Sequence, residues 1–398
     1  MSISNKKIEQ ILNLKYPLEN TSTAFLVNKK IDLDNLQNGN FSNLKNKRVL
    51  VTGGAGFIGS HVSEALLKRG DEVIIVDEIN DYYDTRIKRN NLAHLIKHDN
   101  SKKIKIYEGD ICDTNFMSDI FENEKPEWII HLAARAGVRP SIQNPFIYIH
   151  SNIEGTTRLL ELAHKYGIKH FVFASSSSVY GGSKNNIFSE SDVVEFPVSP
   201  YAASKKSCEL MSYTYHHLYG MNISGLRFFT VYGPRGRPDM APFKFLDRIS
   251  RGIEIQQFGD GSSCRDYTYI DDIVDGIIRS LDKPLGYQIY NLGNGNPISL
   301  KHFIKIIEDT IGVKANIEIL PNQPGDVPRT AANINKAKKL LGYYPKVSFQ
   351  DGIKRLADWY FKEYTLLLEE PPETILPNSK SSSIIGFTLG SHNEVAII

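Results

Sequence analysis

Residues Lys47–Asp77 read KRVLVTGGAGFIGSHVSEALLKRGDEVIIVD. A β-branched run, Arg48–Val51, breaks at glycines and gives way to a helical pattern through Ala65, Leu66 and Leu67 that stops near Gly70. A second apolar run, Val73–Val76, closes on the acid Asp77. Gly54, Gly56 and Gly59 spell G-x-G-x-x-G, with Gly53 in front. The spacing predicts a strand, a glycine turn, a helix and a second strand within one βαβ unit. The first glycines allow a tight turn and close backbone approach to a pyrophosphate. The last lets the helix pack on the sheet, and the helix start at Phe57 and Ile58 offers N–H groups and a positive dipole end to phosphates. Asp77 can accept hydrogen bonds from an adenosine ribose, which favours NAD over NADP.

Working outward, further apolar or β-rich runs occur at Ile104–Ile111, Trp128–Ala134, Phe171–Ser178 and Ile223–Tyr232, with helical patterns at Pro145–Tyr166 and Ser204–Tyr219. Such alternation predicts an α/β fold with a doubly wound parallel (Rossmann) sheet, whose ligands sit at the carboxyl ends of the strands. The motifs fall at those ends: Gly53–Gly59, Asp110, His131–Ala134, Ser175–Ser178 and Phe229–Tyr232. Beyond Gly233 the pattern turns irregular, with Pro234, Pro238 and Pro242, and predicts a smaller C-terminal α/β substrate domain. The expected division is an N-terminal extension at 1–45, a dinucleotide-binding domain at 46–228 with 266–283 returning to it, a substrate domain at 229–265 and 284–365, and a flexible tail at 366–398.

The 398 residues suffice for a large core, and 41% hydrophobic with 23% charged residues is ordinary for a soluble protein. A formal net charge of +2 gives no signal for nucleic acid. No apolar run is long enough to span a bilayer and the N-terminus lacks a signal-peptide core, so no membrane association and a cytoplasmic location are expected. Cys112, Cys208 and Cys264 are few and scattered, which suggests a reducing compartment, small core residues and no metal site.

Tyr201 and Lys205 form Tyr-x-x-x-Lys just after Ser199-Pro200, and residues four apart share a helix face. An ammonium beside a phenol favours the phenolate, which can take a proton from a sugar hydroxyl while hydrogen leaves the same carbon. Such pairs are usually solvated, and Tyr180 and Lys184 repeat the spacing. That second pair encloses Gly181 and Gly182, which break a helix, so Tyr180 is read as shaping a turn. Ser175–Ser178 end a predicted strand. Alternation places Ser176 and Ser178 on one face and Ser175 and Ser177 on the other. Arg139 and Arg237 are candidates for gripping an anion bidentately, whereas Arg135 and Arg235 are read as solvated and His131 as a packed strand-end residue.

TGGAGFIG, the serine cluster before VYG, and YAASK together resemble the extended short-chain dehydrogenase/reductase family over residues 47–364. NDYYD (Asn80–Asp84), AGVRPS (Ala136–Ser141), RFFTVYGPRGRPDMA (Arg227–Ala241) and RDYTYIDD (Arg265–Asp272) are most similar to its nucleotide-sugar 4-epimerases, above all those acting on UDP-glucuronate. The resemblance implies tightly bound, unconsumed NAD, a UDP-sugar substrate, a transient 4-keto intermediate and a homodimer pairing through two long helices. It implies that Gly53, Gly56, Phe57, Ile58 and Gly59 hold the pyrophosphate, Asp77 the ribose, and Asp110 and Ile111 the adenine. Leu132, Ala133, Ala134, Asn152, Ser175 and Phe228 would line the cofactor channel. Tyr201 would be the acid/base, Lys205 its electrostatic partner and nicotinamide-ribose anchor, and Ser176 the orienter of the reacting hydroxyl. Ser178, Thr230, Arg139 and Arg237 would meet the substrate, with Arg265 and Asp326 on its diphosphate and uridine ribose and Phe258 near the uracil. Gln323 stands where glucose epimerases place an arginine, so diphosphate contacts would rest more on Arg265 and Arg237. Dehydratases and decarboxylases of the family carry acids between the serine or threonine and VYG; this chain has none there. UDP-glucose and UDP-N-acetylglucosamine epimerases, a UDP-glucuronate decarboxylase or dehydratase, and a non-catalytic NAD-bound scaffold remain the alternatives.

Overall fold

The structure, a computed structural model, describes residues 46–183, 185–321 and 329–369. The first six strands are β1 (Arg48–Thr52), β2 (Glu72–Asp77), β3 (Ile104–Glu108), β4 (Trp128–His131), β5 (His170–Ser176) and β6 (Ile223–Phe228). They are followed by β7 (Thr230–Tyr232), β8 (Ile255–Phe258), β9 (Cys264–Arg265), β10 (Tyr267–Tyr269), β11 (Tyr287–Leu292), β12 (Ile298–Ser299) and β13 (Ile317–Leu320). A seven-stranded parallel sheet runs β11-β6-β5-β4-β1-β2-β3, the doubly wound order with its switch point between β1 and β4.

Alternation along these strands divides the core. Val49, Val51, Val73, Ile75 and Ile130 face the side covered by helices Phe57–Arg69 and Ile270–Leu281. Leu50, Ile74, Val76, Ile129 and Phe171 face helices Thr114–Glu124, Gly155–Lys165 and Pro200–Tyr219. Sheets buried on both faces read as continuous apolar runs, as β1 and β2 do.

Three readings are corrected. Ile223–Tyr232 is two strands in two sheets: Phe229 interrupts the run, its N–H donates to Leu292 O (3.1 Å), and β7 pairs with β10 instead. The strand Tyr287–Leu292, placed by sequence in the substrate domain, lies beside β6 in the large sheet in parallel register from Tyr287↔Ile223 to Leu292↔Phe228. Cys264 is half-buried rather than a core residue, although Cys112 and Cys208 are buried. The segment Pro145–Tyr166 is helical but winds as a π-helix at Ile149–Glu154. Among the described residues the second region contains two-stranded sheets, β7 with β10, β8 with β13 and β9 with β12, set among helices Ala241–Ser250, Leu300–Ile311 and Phe349–Trp359. Residues 1–45, Lys184, Gln323, Asp326 and the tail beyond Glu369 lie outside the described residues.

Candidate active site

The glycine turn after β1 builds one end of a cavity of about 420 Å³. Gly53 takes φ 71°, and a β-carbon there would stand 2.6 Å from the Ala133 nitrogen; one on Gly59 would stand 2.1 Å from the Gly53 carbonyl oxygen. Gly56 caps helix Phe57–Arg69 without a side-chain hydrogen bond, and no acid stands in its first turn. The N–H groups of that turn are therefore available to an anion. At the end of β2, Asp77 is buried and accepts from Ala55 N (3.0 Å) and Ile79 N (2.9 Å). Burial pushes its carboxyl up, against the pull of Lys88 and those two N–H groups. Ile79 adopts φ 45°, a left-handed conformation rare for a β-branched residue, in the loop that turns its N–H onto Asp77. An uncapped helix start, a cradle that β-carbons would fill and a buried acid beyond β2 fit the diphosphate and ribose of a dinucleotide.

Opposite the cradle, Ser199 caps helix Pro200–Tyr219 by accepting from Ala202 N (3.1 Å), and Pro200 sets its first turn. Tyr201 and Lys205 both line the cavity. The Lys205 ammonium is buried and donates to the Ala174 carbonyl of β5 (2.8 Å), while the Tyr201 ring meets Tyr148 edge-on with centroids 6.2 Å apart. β5 ends at Ser176, whose hydroxyl accepts from Ser178 N (3.1 Å) and starts a 3-10 turn at Ser177–Tyr180. Strand alternation thus stops before Ser178, which corrects the pairing of Ser176 with Ser178 on one strand face. Backbone or side-chain atoms of all four serines line the cavity, but the Ser175 hydroxyl donates to Glu209 (2.7 Å). Tyr180 is a core residue, 3% exposed, with its hydroxyl on Asn291 (2.6 Å).

Asp110, Ile111, Leu132, Ala133, Ala134, Phe228, Thr230 and Arg237 line the same cavity. Asn152 does not: it is buried, and its amide clamps the Arg135 backbone, accepting from N (2.8 Å) and donating to O (3.0 Å). Arg139 and Phe258 line a second cavity of about 440 Å³ with Lys244 and Arg248, and Asp239 borders both cavities. Arg265 lines neither; its Nη1 donates to the Cys264 carbonyl (2.9 Å). Arg135 and Arg235 are not solvated, because each meets an acid far away in sequence: Arg135 pairs with Glu78 (3.0 Å) and Arg235 with Glu64. Arg235 holds φ 60°, and its ion pair ties the loop preceding Arg237 to the glycine-turn helix. His131 is buried between Thr52 (2.7 Å) and Thr156 (2.9 Å), and burial, then Lys205, pushes its imidazole down to about 3. His150 bridges Asp110 (2.9 Å) and Glu154 (3.0 Å), with Cys112 close by. Burial pushes the Cys112 thiol up to about 12.

Sequence reasoning missed three contributors. Glu209, eight residues beyond Tyr201, forms a buried bidentate pair with Arg227 of β6 (2.8 and 2.8 Å) and fastens the helix to the strand ends. Tyr82 lines the cavity from a flanking loop, and Tyr148, buried behind the lining, packs edge-on against the Tyr201 ring. Of these only Tyr82 carried a signal, inside NDYYD.

The family model of GDP-mannose 4,6 dehydratase matches residues 50–356. A UDP-glucuronate 4-epimerase of Thermodesulfobacterium geofontis is 52% identical over 78% of this chain and 95% of its own. Among solved structures, a UDP-glucuronic acid 4-epimerase of Bacillus cereus, in complex with UDP-glucuronic acid and NAD, is 35% identical, with a TM-score of 0.73 over 78% of this chain and 98% of that one. A UDP-glucose 4-epimerase of Thermotoga maritima with UDP-glucose is 34% identical, with a TM-score of 0.72 over 80% and 99%.

Proposed function

Because the chain belongs to the extended short-chain dehydrogenase/reductase family, we propose that it is an NAD-dependent UDP-sugar 4-epimerase converting UDP-glucuronate to UDP-galacturonate. The observation that carries this is the meeting of Tyr201, Lys205 and the Ser176–Ser178 turn with the glycine cradle around one cavity. When bound, NAD supplies a reversible acceptor for the hydrogen on C4 of the sugar. Gly53, Gly56 and the Phe57–Gly59 turn would hold its diphosphate and Asp77 a ribose, with Asp110 and Ile111 by the adenine.

Tyr201 takes the O4 proton in one half of the reaction and restores it in the other. Lys205, fixed on the Ala174 carbonyl, is the cation four residues along the same helix; Ser176 orients the hydroxyl. Between the halves the 4-keto sugar turns its other face, so the sugar is held more loosely than its nucleotide. Arg139 and Phe258 in the second cavity suit that nucleotide, and the irregular region around β8, β9, β12 and β13 is its domain. The turn Ser177–Tyr180 holds no acid, which favours epimerisation over elimination or decarboxylation. Purified enzyme incubated with UDP-glucuronate and no added cofactor should yield UDP-galacturonate by NMR; carbon dioxide, a 4-keto-6-deoxy sugar or a need for added reductant would overturn the reading.

The same proposal includes a homodimer and a cytoplasmic setting. Phe146 is 77% and Leu210 57% exposed on helical segments that pack side by side, with Ile142, Ile149, Tyr213 and Leu218 also exposed. A second copy of this chain, packed helix to helix, would cover them. Among the described residues no helix is long and apolar enough to cross a membrane, and the cysteines are free.

A further inference from the structure

The mouth of the first cavity holds two hydrogen-bond donors that the reaction above does not use. Arg237 gives Nε (3.0 Å) and Nη2 (2.6 Å) to Asp239, and Nη2 also reaches the Tyr82 hydroxyl oxygen (3.4 Å). The guanidinium lies over the Tyr82 ring, 5.2 Å from its centroid. Its Nη1 has no hydrogen-bond partner among the described residues, and neither has the Tyr82 hydroxyl proton. The Tyr82 oxygen accepts from Arg237, so its own proton is turned elsewhere. Burial raises the phenol above its ordinary range, against the pull of Arg237, which keeps that proton in place at neutral pH.

The chain makes room for this hydroxyl. Gly137 holds φ 116°, and a β-carbon there would lie 2.9 Å from the Tyr82 oxygen. Tyr82 and Arg237 come from loops 155 residues apart and face the cavity that Tyr201 also lines. A cation with a neutral O–H donor beside it suits a carboxylate, which accepts from both at once. A hydroxymethyl group carries no charge and a single oxygen.

We propose that Tyr82 is a substrate-binding residue that, with Arg237, receives the C6 carboxylate of the sugar and so selects a uronate over a neutral hexose. Asp239 is the positioning residue on the far edge of the guanidinium. The assignment rests on the uronate reading of the substrate. No covalent step is involved; Tyr82 only donates a hydrogen bond.

The test is calorimetric titration of NAD-loaded protein with UDP-glucuronate and with UDP-glucose, in a Tyr201→Phe background that slows turnover. Tyr82→Phe keeps the ring under Arg237 and deletes the hydroxyl, which removes the donor together with the long contact it accepts from Arg237 Nη2 (3.4 Å). It should shift the ratio of the two dissociation constants against UDP-glucuronate on the order of tenfold, the weight of one hydrogen bond to a charged group. Arg237→Lys should shift the ratio the same way. An unchanged ratio in Tyr82→Phe, whether both ligands weaken equally or neither does, would overturn the assignment. Turnover of the unsubstituted enzyme is a separate assay. Its failure would count against the epimerase reading, while the Tyr82 assignment stands or falls on the binding ratio.

Discussion

In the proposed reaction Tyr201 is the side chain that moves a proton in both directions. Tyr201→Phe should lower turnover by about 10²- to 10⁴-fold, the usual weight of general acid–base catalysis, with NAD still bound; product formation and the nucleotide content of the purified variant check both halves of that statement. Gly59 answers to sterics instead. A β-carbon 2.1 Å from the Gly53 carbonyl cannot be accommodated without displacing backbone, so Gly59→Ala should emerge with little or no bound dinucleotide in its absorbance spectrum. Both residues were legible in sequence as positions to bring together, because a glycine turn and a Tyr-x-x-x-Lys pair are local patterns, and both line one cavity. Arg235 and Arg135 were not. Their partners lie at Glu64 and Glu78, and no periodicity in the chain announces a pairing across such a distance. Asn152 was legible as a site residue only by analogy. Its amide is consumed by the Arg135 backbone, so it shapes the wall of the cavity from behind.

At the scale of elements, the Tyr201 helix is held against the sheet by Glu209 and Arg227, with Ser175 as a third partner. Burial alone would raise the Glu209 carboxyl, but Arg227 and Ser175 outweigh it and hold the group below the ordinary carboxylate range. Its contribution is therefore complete above that range and is lost as pH falls through the depressed value. Glu209→Gln should cost about 3–5 kcal/mol in urea unfolding, because it strands a buried guanidinium, and replacing both partners by apolar residues of similar volume should cost much less. The seven-stranded sheet was readable from alternating runs, yet the ends of strands were not. Ser176 looks like the middle of a strand until its hydroxyl is seen capping Ser178. Phe229 still closes the last rung of the ladder with Leu292, and the chain changes sheets one residue later, where Thr230 N donates to Asp266 O and β7 joins β10.

For the whole molecule, acid should loosen the fold through its buried imidazoles as well. His131 and His170 are pushed by burial from an ordinary 6.5 down to about 3 and about 4. The unfolded chain therefore holds more protons than the native one below about pH 6.5. Stability is whole above that pH and declines as pH falls towards the depressed values, which a series of urea midpoints from pH 7.5 to pH 5 would register. Association is a separate matter: Phe146→Glu with Leu210→Glu should convert a dimer to a monomer in light scattering while leaving the circular dichroism of the subunit intact. The ion pair between Glu64 and Arg235 has a consequence for the traffic of the coenzyme. It fastens the segment leading to Arg237 onto the helix whose first turn offers its N–H groups to a diphosphate, so weakening that fastening should weaken the hold on a dinucleotide seated there. Glu64→Gln, outside the residues that line the cavity, should shorten the residence time of NAD severalfold in a chase with labelled coenzyme, so that a retained coenzyme would become an exchanging one.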